Sequence, residues 1–414
     1  MMTSKTMTGG QAVVESLKVN EVDIVVGLIG SSTLEILDAL YDSKNIRYIG
    51  CHDERSGIIM SDAYARMKNK HGVFLAGQAG PGATNTVTGL AQAKAAFSPV
   101  VSLAGAISSE HEGKDAFQEV DQQSLFTPVT KKSFKISDTK DIHSVMQEAF
   151  KVAITPRMGP VNINLPRDVM GKTSDFQYPM KYQIEKLPEA KVSSLMKAVE
   201  LLTKAKNPVI IVGAGIKNNS SHETVLALAE LIKAPCCTSP GHGDALPFEH
   251  PLNAGQMGPR GNVVASRLVK EADVILVLGS RLGFNSTFYS YDNINKDASI
   301  IHCEIDENSI GRYFPVEVGI FADAKTVAEQ LLTMLKSYQA KNEAQQWVDD
   351  FQAERKAYLE NRDQDADVTS SPIQPSGLFK ELRQVLPKNT AITMDAGTLC
   401  LQATDALNYF EPKS

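Results

Sequence analysis

The chain has 414 residues, room for roughly two to three domains, and its 43% apolar content is enough for sizeable cores. A net charge of −6 and a pI near 5.8 argue against a nucleic-acid binder, which would show a basic face. No apolar run reaches the ~18 residues of a membrane span, the N-terminus has no apolar signal core, and five cysteines without a C-x-x-C suit reduced thiols, so a cytoplasmic protein with neither membrane nor nucleic-acid partners is expected.

Apolar runs that read as strands alternate with helical patterns, the signature of parallel α/β sheets. In the first part the strands are DIVVGLI (23–29), VFLAG (73–77), PVVSLAG (99–105) and VNINL (161–165). SSTLEILDALY predicts a helix with a Ser32–Glu35 capping box and an apolar stripe of Leu34, Leu37 and Tyr41. CHDERSGIIMSDAYARM (51–67) follows. Met60, Ala63, Tyr64 and Met67 fall at helical spacing and predict a buried face, with Cys51, His52, Asp53 and Glu54 at the helix mouth. Four adjacent groups fan through nearly a full turn and do not wrap one ion, and none of the eight histidines forms H-E-x-x-H, so no metal site is predicted. GQAGPGATN (77–85) joins a strand to a helix of small residues. Such a loop lets a flat ligand approach the backbone, or serves only as a packed turn. FQEVDQ (117–122) reads by itself as a solvated turn.

Near residue 180 the polar stretch FQYPMKYQIEKLPEAKVSS reads as a linker. A second α/β unit follows, with strands in NPVIIVGAGI (207–216), APCCTS (234–239), ADVILVLGS (272–280) and SIIHCEID (299–306). GAGIKN lacks the third glycine of a dinucleotide fingerprint, and no acid closes the next strand, so it reads as a tight strand-to-helix turn. From Lys336 to Ser371 the chain is charged and helix-prone, a connecting helix and hinge. A third unit, opening at 376–397, shows one helix, one strand and a further helix. Its forty-odd residues are too few for a comparable core, so this domain is expected to be cut short. The predicted fold class is α/β: two complete doubly wound parallel-sheet domains, Rossmann-like, plus the start of a third. The expected bounds are 1–180, 190–335, a helical linker 336–372, and 373–414.

Taken in order, DERSGIIMSDAYAR (53–66), AGPGATN (79–85), FQE (117–119) and GPVNINLPRDV (159–169) resemble the motifs of the thiamine-diphosphate enzymes of the acetolactate synthase group. NPVIIVGAG, HPLNAG, ADVILVLGSR and IHCEIDENSIGR extend the resemblance through the second unit. It implies a pyrimidine-binding domain, a central domain and a diphosphate-binding domain. It places Glu54 on the glutamate that bonds N1′ of the cofactor's pyrimidine and holds and returns a proton there. The plain reading of Glu54 is a first-turn acid favoured by the helix macrodipole. The resemblance further implies Gly30, Pro81, Gly82 and Asn85 around the pyrimidine, Gln118 beside cofactor and substrate, Phe117 beside the substrate, and Lys131 near the pocket mouth. Arg157 matches an arginine that contacts FAD, and Gly213, Gly215, Arg281, Asp306 and Asp323 lie where the central domain would hold FAD or ADP. Arg260 stands where flavin-binding synthases carry a histidine, so FAD, ADP and an empty domain all stay open. In this family the site lies between subunits, which implies a homodimer or homotetramer.

Two departures bear on the reaction. GLIGSS (27–32) and FQEVDQ resemble sulfoacetaldehyde acetyltransferase, so the expected chemistry is open between decarboxylation of a 2-oxo acid such as pyruvate with acyl transfer, and a related acyl transfer or lyase reaction. The family's G-D-G and later N-N, which bind Mg²⁺ and through it the diphosphate, have no counterpart. Gly243-Asp244-Ala245 comes nearest, and Asn218-Asn219 precedes it. The expectation is a C-terminally truncated chain, inactive alone, of a parent that binds thiamine diphosphate and Mg²⁺. A non-catalytic nucleotide-binding or assembly protein is the alternative of a different class.

Overall fold

The computed structural model describes residues 4–184, 187, 189–338 and 343–412. The chain divides into two compact units between residues 186 and 187. Of the stretch read as the first linker, 185, 186 and 188 lie outside the described residues, as do 339–342 of the charged stretch beyond Lys336.

In the first unit, β1 (Lys5–Thr8) pairs antiparallel with β8 (Thr173–Phe176). The main sheet has six parallel strands: β2 (Ile24–Leu28), β3 (Arg47–Gly50), β4 (Gly72–Ala76), β5 (Val100–Ala106), β6 (Lys132–Lys135) and β7 (Val161–Pro166). Their order across the sheet is β3-β2-β4-β5-β7-β6. Successive residues of each strand serve opposite cores: Val73 and Leu75 pack into one apolar cluster, Phe74 and Ala76 into the other. Both faces are covered, which is why the central strands read as unbroken apolar runs. The edge strands RYIG and KSFK carry charged residues and escaped that reading.

The helices correct two sequence expectations. The SSTLEILDALY segment opens as a 3-10 turn (Ser31–Thr33) and becomes a helix at Leu34–Tyr41 without a side-chain cap. Ser32 Oγ instead accepts from the Ala79 N–H at 3.1 Å, which ties the loop to its neighbour rather than to its own helix. Ile36 and Leu40 form the buried face, while Leu34 and Tyr41 are exposed. In the helix Glu54–Lys68 the buried face is Glu54, Gly57, Ile58, Ser61, Asp62 and Ala65. Met60 and Met67 of the predicted stripe are exposed. Close approach of a helix to a sheet selects small residues, whereas an apolar periodicity search follows large ones.

The second unit is built on β9 (Pro208–Val212), β10 (Cys236–Thr238), β11 (Asn253–Gln256), β12 (Val274–Leu278), β13 (Ser299–Glu304) and β14 (Val318–Phe321). All pairings are parallel, in the order β11-β10-β9-β12-β13-β14. β9 ends at Val212, and Ala214–Asn218 is already helical. The helix Gln345–Gln364, read as a connector, packs into this unit: Trp347 and Phe351 join its core and Trp347 Nε1 donates to the Pro208 carbonyl at 3.1 Å. Helices Pro375–Val385 and Thr398–Ala406 meet around Phe379, Ala403, Leu407 and Tyr409. The strand expected in the unit opening at 376–397 does not form: after the helix Pro375–Val385 the described residues hold no strand. A strand exists only by laddering to a partner, and among the described residues none flanks it.

Candidate active site

The order of the first sheet reverses between β2 and β4: the chain steps outward from β2 to β3 and the other way from β4 to β5. In open parallel sheets ligands bind at such a reversal, beyond the carboxyl ends of the strands. Glu54 follows β3, Gly30 follows β2, the segment 78–85 follows β4 and the 117–119 turn follows β5. All of them therefore gather at this one edge. A Cβ on Gly30 would lie 2.3 Å from the Gly77 carbonyl carbon and 2.5 Å from Gln78 N, so the loops after β2 and β4 touch through bare backbone.

Glu54 opens its helix behind the N-cap Asp53, whose side chain accepts from Ser56 N at 3.1 Å. Its side chain is turned inward and only 7% exposed. Asn85 Nδ2 donates to Glu54 Oε2 at 3.0 Å. Among the described residues no cation pairs with this carboxyl and Oε1 accepts no hydrogen bond. A Cβ on Gly82 would stand 3.2 Å from Oε1 and 3.1 Å from Gln78 Cβ, so a larger residue there would crowd the free oxygen. Pro81 is the first residue of the short helix Pro81–Thr84 that carries Gly82 and leads into Asn85. Around the edge Ile29, Phe117 and Val120 expose apolar surface. A buried carboxyl with one free oxygen under an apolar rim suits a flat heteroaromatic ring whose nitrogen exchanges a proton.

Gln118 sits in the left-handed region at φ 63. Its carbonyl would be 2.3 Å from a Cβ on Gly80, itself left-handed at φ 65. The adjacent Glu119 clamps the loop, accepting from Gly113 N at 2.6 Å and Ala116 N at 2.9 Å. These two N–H groups hold its carboxyl below the usual glutamate range. Phe117 is 86% exposed. Gln78 also enters the site, bridging Ser31 and Gln118. Gln78, Ser31 and Glu119 were not singled out from sequence. Gln78 lay inside the glycine-rich loop, where attention went to the glycines, Pro81 and Asn85.

The structure does not bring Lys131 and Arg157 to this edge. Lys131 immediately precedes β6 and Arg157 lies ahead of β7, both at the amino end of the parallel sheet. Lys131 Nζ donates to the carbonyls of Val152 (2.6 Å) and Thr155 (2.8 Å), and desolvation lowers its pKa to about 8. The Arg157 guanidinium lies 3.8 Å from the centroid of the Phe97 ring, just ahead of β5. Within this unit the pocket-mouth reading of Lys131 thus has no geometric link to Glu54, because strand polarity puts the two at opposite edges.

The second sheet reverses its order between β9 and β12. Gly213 and Gly215 follow β9, Arg281 follows β12, Asp306 follows β13 and Asp323 follows β14, so all five share the carboxyl edge. A Cβ on Gly213 would be 2.4 Å from the Gly279 carbonyl oxygen, and one on Gly215 2.8 Å from Gly279 Cα. Asp306 accepts from Asn308 N at 3.1 Å and Ser309 Oγ at 2.9 Å. Asp323 caps the helix Ala324–Ser337 through Thr326 N at 3.0 Å and accepts from Asn219 Nδ2 at 2.9 Å. Asp244, in the triplet closest to a metal-binding G-D-G, is 5% exposed and paired with Lys217 at 2.7 Å. Among the described residues no three His, Cys, Asp or Glu side chains converge as metal ligands, and no helix is long and apolar enough to cross a membrane.

Comparison with known proteins places this architecture. Residues 7–125 match the family description "Thiamine pyrophosphate enzyme, N-terminal TPP binding domain", and residues 195–331 match "Thiamine pyrophosphate enzyme, central domain". The chain belongs to the thiamine pyrophosphate enzyme family, among its acetolactate-synthase-like members. It is 35% identical to a probable acetolactate synthase large subunit of Methanocaldococcus jannaschii, over 94% of this chain and 67% of that protein. It is 36% identical to the acetolactate synthase large subunit of Corynebacterium glutamicum, over 83% of this chain and 55% of that protein. It is also 32% identical to a sulfoacetaldehyde acetyltransferase of Alcaligenes xylosoxydans xylosoxydans, over 99% of this chain and 71% of that protein.

Proposed function

We propose that this chain carries the pyrimidine-binding part of a thiamine-diphosphate-dependent carboligase or lyase that decarboxylates a 2-oxo acid such as pyruvate and transfers its acyl unit. The observation that carries the reading is the inward Glu54 carboxyl, held by Asn85 with one oxygen free beside Gly82. Thiamine diphosphate supplies, when bound, a carbon nucleophile able to attack the 2-oxo group. Glu54 would hold and return the proton at the ring nitrogen of its pyrimidine, with Gly30, Pro81 and Gly82 shaping the wall around the ring. Asn85 fixes the carboxyl's orientation, while Phe117 and Gln118 border the substrate. Mg²⁺ would accompany the diphosphate. In the second unit the carboxyl edge with Gly213, Gly215, Arg281, Asp306 and Asp323 would take FAD or ADP, and Arg157 is assigned to the same cofactor by resemblance. The exposed apolar rim at Ile29, Phe117 and Val120 supports a second copy of the chain as partner, in a homodimer or homotetramer. All five cysteines are unpaired, which suits the cytoplasm.

Substituting Glu54→Gln in a full-length version that also carries a diphosphate-binding domain, and that turns over before substitution, tests the reading. Loss of a positioned acid–base group should lower turnover by about 10²–10⁴-fold. Turnover near that of the unsubstituted protein would overturn it. A second reading, acyl transfer of the sulfoacetaldehyde acetyltransferase type, draws on the GLIGSS loop and on the 32% identical relative. Parallel assays with pyruvate and with sulfoacetaldehyde separate the two. Calorimetric uptake of FAD or ADP without thiamine diphosphate would favour a non-catalytic nucleotide-binding role.

A further inference from the structure

Gln78 links the three loops that surround Glu54. Its Oε1 accepts from the Ser31 backbone N–H at 3.1 Å and from Ser31 Oγ at 3.2 Å. A backbone N–H can only donate, so the carbonyl end of the Gln78 amide must face Ser31. The NH₂ end therefore faces the other way, where it meets Gln118. An amide NH₂ also only donates, so the partner atom on Gln118 must be Oε1. That leaves the Gln118 NH₂ turned away from Gln78, and among the described residues it donates to nothing. One backbone donor at Ser31 thus determines, through two amides in series, which end of Gln118 is presented.

The presented group stands at the working edge. The position a Gly82 Cβ would occupy is 3.1 Å from Gln78 Cβ and 3.2 Å from Glu54 Oε1, and Gln118 Cβ is 3.0 Å from the corresponding point on Gly80. We propose that Gln78 is a positioning residue that keeps the Gln118 NH₂ facing the substrate, and so selects a substrate bearing an oxyanion or carbonyl oxygen, as the carboxylate of a 2-oxo acid does. The inference rests on the proposed function for the identity of the reaction, but its geometry concerns this chain's own residues.

The test uses oxamate, an unreactive analogue of a 2-oxo acid, titrated calorimetrically into the full chain and its variants. Gln118→Met removes the donor and should weaken oxamate by about tenfold, the worth of a hydrogen bond to a charged group. Gln78→Met leaves the Gln118 side chain free to turn over and to change rotamer, so that binding must order it, and should weaken oxamate by about fivefold. Because Gln78 acts through Gln118, the double substitution should be no weaker than Gln118→Met alone. Hydrogen exchange should quicken at 29–33 in Gln78→Met and stay unchanged across the helix Glu54–Lys68. Independent, multiplying losses in the double substitution overturn the inference, as does unchanged affinity in Gln118→Met or failure of the unsubstituted chain to bind oxamate. If Gln78→Met folds poorly, Gln78→Asn decides in its place: it keeps the amide but is one methylene too short to bridge Ser31 and Gln118, so it should weaken oxamate, and unchanged affinity overturns the inference. A chain that binds oxamate in this pattern but takes up no thiamine diphosphate overturns the proposed function and supports the amide relay.

Discussion

Acidification should loosen the first unit through one histidine. His71 precedes β4 and is 6% exposed. Its Nε2 donates to the Phe150 carbonyl at 2.9 Å, and the rings of Phe150 and Tyr182 flank it at 4.6 and 5.4 Å. Desolvation lowers its pKa from 6.5 to about 4; the Phe150 carbonyl opposes this and the Lys181 ammonium adds to it. In the unfolded chain His71 titrates near its ordinary value. Between pH 6.5 and about 4 the unfolded state therefore holds a proton that the native state does not. Stability from this group is complete above 6.5 and is lost as the pH falls towards 4. The drop from 6.5 to about 4 corresponds to about 3 kcal/mol in full, of which about 2 kcal/mol is already lost at pH 5. Native-state hydrogen exchange at Phe74 and Leu75, next along β4, reports opening of this unit. From pH 7 to pH 5, corrected for intrinsic exchange, their protection should fall by about 2 kcal/mol more in the unsubstituted chain than in His71→Gln, which keeps a donor for Phe150. Equal falls in the two proteins, or a His71 ring resonance titrating near 6.5 in the folded state, would refute the reasoning.

Asn85→Ala leaves the buried Glu54 carboxyl without its one hydrogen-bond donor and, in a full-length version that turns over, should reduce turnover by about tenfold or more, with circular dichroism unchanged. Gly279→Ala would force a side chain into φ 62 with its Cβ 2.6 Å from Gly215 Cα. Hydrogen exchange should show opening of the second unit at lower denaturant, by more than about 2 kcal/mol, with the first unit unaffected. Phe117→Ala removes a ring that is 86% exposed, so stability should change by less than about 0.5 kcal/mol, while in a full-length version the Michaelis constant for the 2-oxo acid rises.

The central strands were legible because a sheet covered on both faces writes itself as unbroken apolar runs, as in VVSLAGA and VILVL. RYIG and KSFK, at the sheet edges, carry no such mark. Helix faces were harder to read. Met60 and Met67 have the right spacing to be buried, yet Gly57, Ser61 and Ala65 face the interior. Packing there is governed by how closely backbones approach, and small side chains give no hydrophobic signal. The strand expected in the unit opening at 376–397 failed for a different reason: no described strand lies beside that stretch to ladder with it.

What the local sequence determined by itself was the alternation of strands and helices, the glycine loops and the place of Glu54 at the mouth of its helix. The tertiary structure alone decided which candidates meet. Strand order and polarity put Glu54, Asn85, Gln78 and Gln118 at one edge of the first sheet and Lys131 and Arg157 at the other. Those choices are set by pairing between segments far apart in the chain, and a side chain's own neighbours in sequence carry no record of them.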